Sequence, residues 1–356
     1  MVRGWAQHPG GRHHGAHGDF VSRSLDVSVA DLLDFSQNIN PLGPPDAALK
    51  AARRALYEES GRYPDLEYTG LREALAAYLG VSAGRIVPTN GGAEALFLAA
   101  RAAGPDGEAL VLEPTFSEYA AAARASGIVP VRRVARRREE GFGWDPAPVE
   151  DLEGVSVVFL CNPNNPTGDA LGYGEVLEVA ARVREAGAVL VVDEAFADFV
   201  AGISVAAMVD EGLWVARSFT KFFAIPGLRL GCLICDDARR VQALQPSWPV
   251  NAVAAAAGIA AVRDRAYAEA SVAAVARLRE ELFEGLDALP GLRPFPGAAN
   301  FLLVRGPDGL PGRLARRGVL VRGCGPFDGL GPEYFRVAVR TAEENGRLLA
   351  AIREEL

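Results

Sequence analysis

The middle of the chain alternates short, continuously apolar runs with longer amphipathic stretches. Val87–Asn90, Ala109–Leu112, Val129–Val134, Val155–Cys161, Ala188–Asp193, Leu213–Ala216 and Leu230–Cys235 read as strands. Gly92–Ala103, Ser117–Ala125 and Gly174–Glu185 read as helices between them. Runs that are apolar throughout, rather than at every second position, belong to strands covered on both faces. The pattern predicts an α/β chain whose mainly parallel sheet lies under helices. Ligands of such sheets sit beyond the carboxyl ends of the strands. The residues that follow each apolar run are therefore the candidates for chemistry.

The flanks have a different character. After Asn38-Ile39-Asn40-Pro41-Leu42-Gly43-Pro44-Pro45 a helix is expected over Asp46–Glu58, with Leu49, Ala52 and Leu56 on one side. Helical material runs from Asn251 to Leu289, where Pro290 is a natural stop. Short strands near Phe301–Val304, Val319–Val321 and Tyr334–Val339 follow, then a last helix from Ala342. This predicts a large domain over residues 45–250 and a smaller α+β domain built from residues 251–356 with the N-terminal residues 1–44. Residues 1–18 read as a flexible arm.

Composition narrows the class. Hydrophobic residues make up 49% of the 356 and charged residues 23%, ordinary for a soluble globular enzyme. A net charge of -8 argues against general nucleic-acid binding, and the basic run Arg132–Arg138 reads as a solvated strand end. Met1–Gly18 has no apolar core of a secretory signal, and Val253–Val262 is too short to span a bilayer, so no membrane partner is expected. Cys232 and Cys235, if on a strand, point to opposite faces. With Cys161 and Cys324 they read as buried reduced thiols of a cytoplasmic protein, and no metal site is expected. Lys50 and Lys221 are the only lysines. Chemistry that needs a side-chain amine has almost nowhere else to go.

Lys221 follows the apolar run Leu213–Ala216, within Ser218-Phe219-Thr220-Lys221 and beside Phe222 and Phe223. An amine in a pocket of low dielectric near cations has a lowered pKa and becomes nucleophilic. Asp193 ends the strand Ala188–Asp193, and Asn165 lies in a proline-fixed loop after Cys161. Asn90-Gly91-Gly92-Ala93-Glu94 joins a strand to a helix start, whose N–H groups suit a phosphate. Phe116 offers an aromatic face, and Arg229 follows Lys221 by eight residues as a second phosphate contact. Together these are the parts a pyridoxal 5'-phosphate enzyme needs: an amine, a carboxylate for the pyridine nitrogen, phosphate donors, a partner for the ring oxygen and an aromatic cover.

The ordered set NPNNPTG, DEAF and SFTKFFAIPGLRLG resembles that of the fold-type I pyridoxal-phosphate enzymes, the aspartate aminotransferase superfamily, from about His14 to the C-terminus. By this resemblance Lys221 is the Schiff-base lysine and Asp193 the pyridinium partner. Asn165 contacts the ring oxygen and Phe116 stacks on the ring. Gly92, Ala93, Ser218 and Arg229 hold the cofactor phosphate. A homodimer with shared active sites is also implied.

Within the superfamily, Leu33–Gly43, Arg62-Tyr63-Pro64-Asp65, Val321-Arg322-Gly323-Cys324 and Tyr334-Phe335-Arg336-Val337-Ala338 are similar to segments of the L-threonine-O-3-phosphate decarboxylases. That resemblance implies a phosphorylated amino-acid substrate held by His14, Asn40, Tyr63, Asn165, Arg322 and Arg336, with Tyr63 crossing to the partner subunit. His13-His14-Gly15-Ala16-His17-Gly18 departs from the HGGN of those enzymes, so His13 or His17 is an alternative to His14. Phe196 stands where aminotransferases of this group usually carry a tyrosine bonded to the ring oxygen. The expected reaction is decarboxylation of threonine phosphate for cobalamin biosynthesis. Histidinol-phosphate aminotransferase is the competing expectation, and a pyridoxal-phosphate-binding regulator without turnover is a distant third.

Overall fold

The computed structural model describes residues 18–25, 28–135, 149 and 151–356. Seven strands form the main sheet in the order Ile86–Thr89, Gly231–Ile234, Leu213–Ser218, Val189–Asp193, Val155–Cys161, Glu108–Glu113 and Val131–Ala135. Gly231–Ile234 is antiparallel to both its neighbours, and the others share one direction. The α/β expectation is met, and the continuous apolar runs are the reason. Leu213–Ser218 and Gly231–Ile234 are buried at every position, which requires cover on both faces.

That cover consists of two apolar clusters, one on each face. Val158, Leu160, Val192 and Val215 pack into one, while Val157, Phe159, Val191 and Ala216 pack into the other. Cys232 belongs to the first and Cys235 to the second, so the two thiols point to opposite faces as the strand period requires. Burial pushes both up to about 12. Among the described residues no helix is long and apolar enough to cross a membrane.

A second, four-stranded antiparallel sheet has the order Arg322–Gly323, Tyr334–Ala338, Phe301–Arg305, Arg293–Pro294. Its core takes Leu278, Leu282 and Leu286 from one helix and Leu348 and Ile352 from the last. Near the start of the described chain, Leu33–Asp34 pairs in parallel with Val319–Leu320 as a separate two-stranded sheet, which ties this early segment to the C-terminal part of the chain.

Two local expectations are corrected. The helical stretch from Asn251 to Leu289 is two helices, Ala252–Arg263 and Arg265–Asp287. Asp264 separates them, because its carboxylate accepts from Tyr267 N at 3.0 Å and so starts a new helix. The helix Asp46–Glu58 forms over the expected residues, but of its expected face only Ala52 packs on the core. Ala48 and Ala55 are buried, whereas Leu49 and Leu56 are 47% and 55% exposed. The neighbouring helix Ala252–Arg263 is alanine-rich, and two such helices approach through their small side chains, leaving the leucines outside.

At the ends of two strands lies a buried ionic triad. Arg217 Nη1 donates to Glu194 Oε2 at 2.8 Å, and its Nη2 donates to Asp198. Glu194 also accepts from Ser204 Oγ at 2.6 Å and Val205 N at 2.7 Å, and Asp198 from the Tyr78 hydroxyl at 2.7 Å. Burial pulls the guanidinium down, but Asp198 and Glu194 more than offset it and hold Arg217 above its ordinary value. Removing one member of such a group leaves uncompensated buried charge. Arg217→Met is expected to lower the unfolding free energy by about 3–5 kcal/mol in urea titration. A loss below about 1 kcal/mol would mean that the triad behaves like an exposed ion pair.

Candidate active site

Strand ends from both sheets converge on a cavity of about 240 Å³. Its lining includes Gly92, Ala93, Phe116, Asn165, Asp193, Phe196, Ser218, Lys221, Arg229, Arg322 and Arg336. Eleven of the sequence-predicted site residues are thus brought together. Three are not. His14 lies outside the described residues, as do His13 and His17. Tyr63 is 76% exposed, away from the cavity, with its ring stacked on Trp248 at 4.4 Å between centroids. Asn40 sits behind Lys221 rather than in the cavity. Its N–H donates to the Lys221 carbonyl at 3.1 Å, and its Nδ2 lies 2.8 Å from Phe222 O and 2.8 Å from Ser271 Oγ. Its Oδ1 accepts from Leu42 N at 3.1 Å. The Asn40 amide is spent on holding the lysine loop, which corrects its expected place at the substrate.

The loop Gly91–Gly92 and the strand Gly231–Ile234 meet backbone to backbone. A Cβ at Gly231 would lie 2.6 Å from the Gly91 carbonyl carbon and 2.7 Å from Gly92 N. Gly91, at φ +83°, is open to the flat side of Arg229, whose Nη2 is 2.6 Å from where a Cβ would stand. Arg229 itself holds a left-handed φ of +64°. The helix Gly92–Ala103 begins here with main-chain N–H groups that a helix cannot pair internally. Ser218 Oγ is 2.8 Å from Thr220 Oγ1 beside them. Cation, hydroxyl and bare N–H groups make this an anion cradle.

Lys221 is pulled down to about 8, first by burial and then by Arg229 and Arg336, with Asp193 opposing them. Asp193 accepts from the Tyr119 hydroxyl at 2.7 Å and from Ala195 N at 2.9 Å. Burial raises its carboxyl above the ordinary value, and these two bonds act against that shift. Tyr119 escaped the sequence reading because it looks like one more apolar residue of an alanine-rich helix. Its spacing of three from Phe116 was the available signal, and the two rings meet edge to face at 5.8 Å.

Arg322 and Arg336 stand directly opposite each other on adjacent antiparallel strands, and both are buried. Burial lowers both, Arg336 to about 10 with Arg322 adding in the same direction. Arg336 Nη2 donates to Ser36 O at 2.9 Å, and Nη1 donates to Asn165 Oδ1. The guanidinium lies over Phe301 at 5.3 Å, and that of Arg322 over Phe327 at 5.6 Å. Phe196 packs edge to face on Phe301 at 5.0 Å. Ser36, Gln37 and Asn38 also line the cavity, and the buried Asn38 Oδ1 has no hydrogen-bond partner among the described residues. A polar group so placed suits a ligand.

The chain is similar to several known proteins. Threonine-phosphate decarboxylase of Salmonella typhimurium is 39% identical over 96% of this chain and 96% of its own. Histidinol-phosphate aminotransferase of Paramagnetospirillum magneticum is 36% identical over 92% of each chain. The crystal structure of histidinol-phosphate aminotransferase from Clostridium acetobutylicum superposes with a TM-score of 0.85 at 29% identity, covering 91% of this chain and 99% of that one. Residues 30–352 match the family model of aminotransferase class I and II. The chain belongs to the class I and II aminotransferase family.

Proposed function

We propose that the protein is a pyridoxal 5'-phosphate-dependent decarboxylase of L-threonine O-3-phosphate, forming 1-aminopropan-2-ol O-2-phosphate for cobalamin assembly. One observation carries the reading. Two buried guanidiniums, Arg322 and Arg336, face each other at the cavity that Lys221 enters. Like charges directly opposite on neighbouring strands repel. A substrate with a carboxylate and a phosphate near its amine supplies an anion for each. The similarity to a threonine-phosphate decarboxylase supports decarboxylation. So does Phe196, which offers the cavity no hydroxyl. Transamination of histidinol phosphate is the second reading, favoured by the similarity to those aminotransferases.

The cavity fits the cofactor. Gly92, Ala93, Ser218 and Arg229 would hold its phosphate in a cradle where a side chain at Gly91 would collide with the Arg229 guanidinium. Asp193, a buried carboxylate, would face the protonated pyridine nitrogen. Phe116 would cover the ring. Asn165, with Oδ1 turned to Arg336, would offer Nδ2 to the ring oxygen. Bound there, pyridoxal phosphate supplies an electron sink for charge left at the substrate α carbon.

The chain's own groups then bind, orient and move a proton. Arg322 and Arg336 grip carboxylate and phosphate by paired hydrogen bonds, and their spacing selects the bond broken at the α carbon. Lys221, protonated as the ammonium, delivers the proton that replaces the departing carboxylate and is left as the neutral amine. His14, and Tyr63 reaching from a second subunit, complete the grip on phosphate. The exposed Leu49, Leu56 and Tyr57 support a homodimer interface beside Tyr63. Residues 45–250 form the cofactor-binding domain in this reading, and four free buried thiols suit a cytoplasmic enzyme.

Purified protein with pyridoxal phosphate is expected to release carbon dioxide from L-threonine O-3-phosphate without any keto acid. Lys221→Ala should abolish both that release and the lysine–cofactor absorbance band. Amino transfer from histidinol phosphate to 2-oxoglutarate, with no carbon dioxide, would assign the second reading. Arg322→Met is expected to lower kcat/KM by about 10- to 150-fold, the worth of a lost charge-assisted hydrogen bond.

Cofactor uptake by the cofactor-free protein reports on Lys221. Because the neutral amine attacks, the rate should rise with pH and level off above about 8. An ordinary lysine would level off near 10.5. Arg336→Met removes a nearby positive charge and should move the plateau upward in stopped-flow absorbance.

A further inference from the structure

Trp248 is an aromatic residue in the left-handed region, at φ +54°. That conformation is rare for a bulky side chain and needs surroundings that enforce it. The enforcement is visible. Two residues on, Val250 N donates to the Tyr68 hydroxyl at 3.1 Å, and that hydroxyl donates to Val250 O at 2.7 Å. Asn251 then caps the helix Ala252–Arg263 by accepting from Ala254 N at 2.8 Å. Tyr68 is itself left-handed, at φ +48°. The segment around Tyr63 is therefore pinned at its foot by buried Tyr68 and by Asp65, which accepts from Thr69 N at 2.8 Å. At its tip it rests on Trp248, with the rings 4.4 Å apart and 26° from parallel.

We infer that Trp248 is a positioning residue whose ring sets the direction of Tyr63, so that the Tyr63 hydroxyl meets the substrate phosphate in the neighbouring subunit's cavity. The inference rests on the reading of Tyr63 as a residue that crosses between subunits. Tyr63 is 76% exposed and turned away from its own cavity, yet it is held flat against a ring whose backbone is bent to receive it. A strained support under an exposed side chain is the arrangement expected where orientation, rather than burial, is the purpose.

The test uses the holoenzyme. Trp248→Leu keeps bulk but removes the aromatic face and should raise KM for L-threonine O-3-phosphate by about 5- to 10-fold, with kcat changed by less than about twofold. Trp248→Phe should restore KM. Tyr63→Phe should raise KM similarly, and the double variant Tyr63→Phe/Trp248→Leu no further. Affinity for inorganic phosphate by calorimetry should fall in step, while the cofactor absorbance stays unchanged and reports correct folding. Additive losses in the double variant, or a fall in kcat alone, would overturn the inference.

Mixed dimers separate it from the reading beneath it. Pairing a Trp248→Leu chain with a Lys221→Ala chain should give normal KM. Placing both substitutions on one chain opposite a wild-type chain should give the raised KM. The reverse pattern with Tyr63→Phe in place of Trp248→Leu would refute crossing and the inference together. Crossing by Tyr63→Phe with no effect of Trp248→Leu would leave crossing intact and sink the role of Trp248.

Discussion

Confinement of like charge organises this molecule. Lys221, Arg229, Arg322 and Arg336 line one cavity, in which Asp193 is the single acidic lining residue among the described residues. Bringing four cationic groups together costs hydration and incurs repulsion, so each needs its own support. Arg336 leans on the neutral oxygens of Asn165 and Ser36 and on the face of Phe301. Arg229 is braced against Gly91 in a left-handed conformation, and the Lys221 backbone is held by Asn40. Arg322 and Arg336 are fixed by the register of two strands.

The strands also sort charge by parity. Successive side chains of a strand point to opposite faces. Val191, Asp193, Ala216 and Ser218 therefore share one face, and Val192, Glu194, Val215 and Arg217 the other. On the first face lie the cavity and its carboxylate. On the second, Arg217 closes a structural ion group with Glu194 and Asp198. A one-residue slip of either strand would exchange the two sets. The buried register keeps an anion meant for a ligand one position away from anions that belong to the scaffold.

Much of this could be read from residue order, because buried strands are continuous apolar runs and ligand groups follow their ends. Asp193, Asn165 and Lys221 stand out on that ground, whereas Ser218 comes from resemblance. Arg322 and Arg336 came from resemblance, since nothing in a short strand says that its arginine faces inward. Tyr119 and Asn40 show where one-dimensional reading stops. One looked apolar and binds a carboxylate, while the other looked available and is consumed by contacts 182 and 231 residues away in the chain. The outward turn of Leu49 and Leu56 depends on an alanine-rich helix some 200 residues later. Pairing over such distances leaves no local mark.

The glycine contact between Gly231 and Gly91–Gly92 has a bearing on how such a molecule can change. Its anion donors are main-chain groups; a Cβ at Gly231 would stand 2.6 Å from the Gly91 backbone, one at Gly91 2.6 Å from Arg229, and one at Gly92 3.0 Å from Ser218. Substitution can hardly retune that half of the cavity. The strands Arg322–Gly323 and Tyr334–Ala338 meet the cavity through side chains instead, on a separate sheet. Variation that alters the molecule recognised, while keeping the part that does the chemistry, has its room for manoeuvre there. One half is a fixed socket and the other an exchangeable lock.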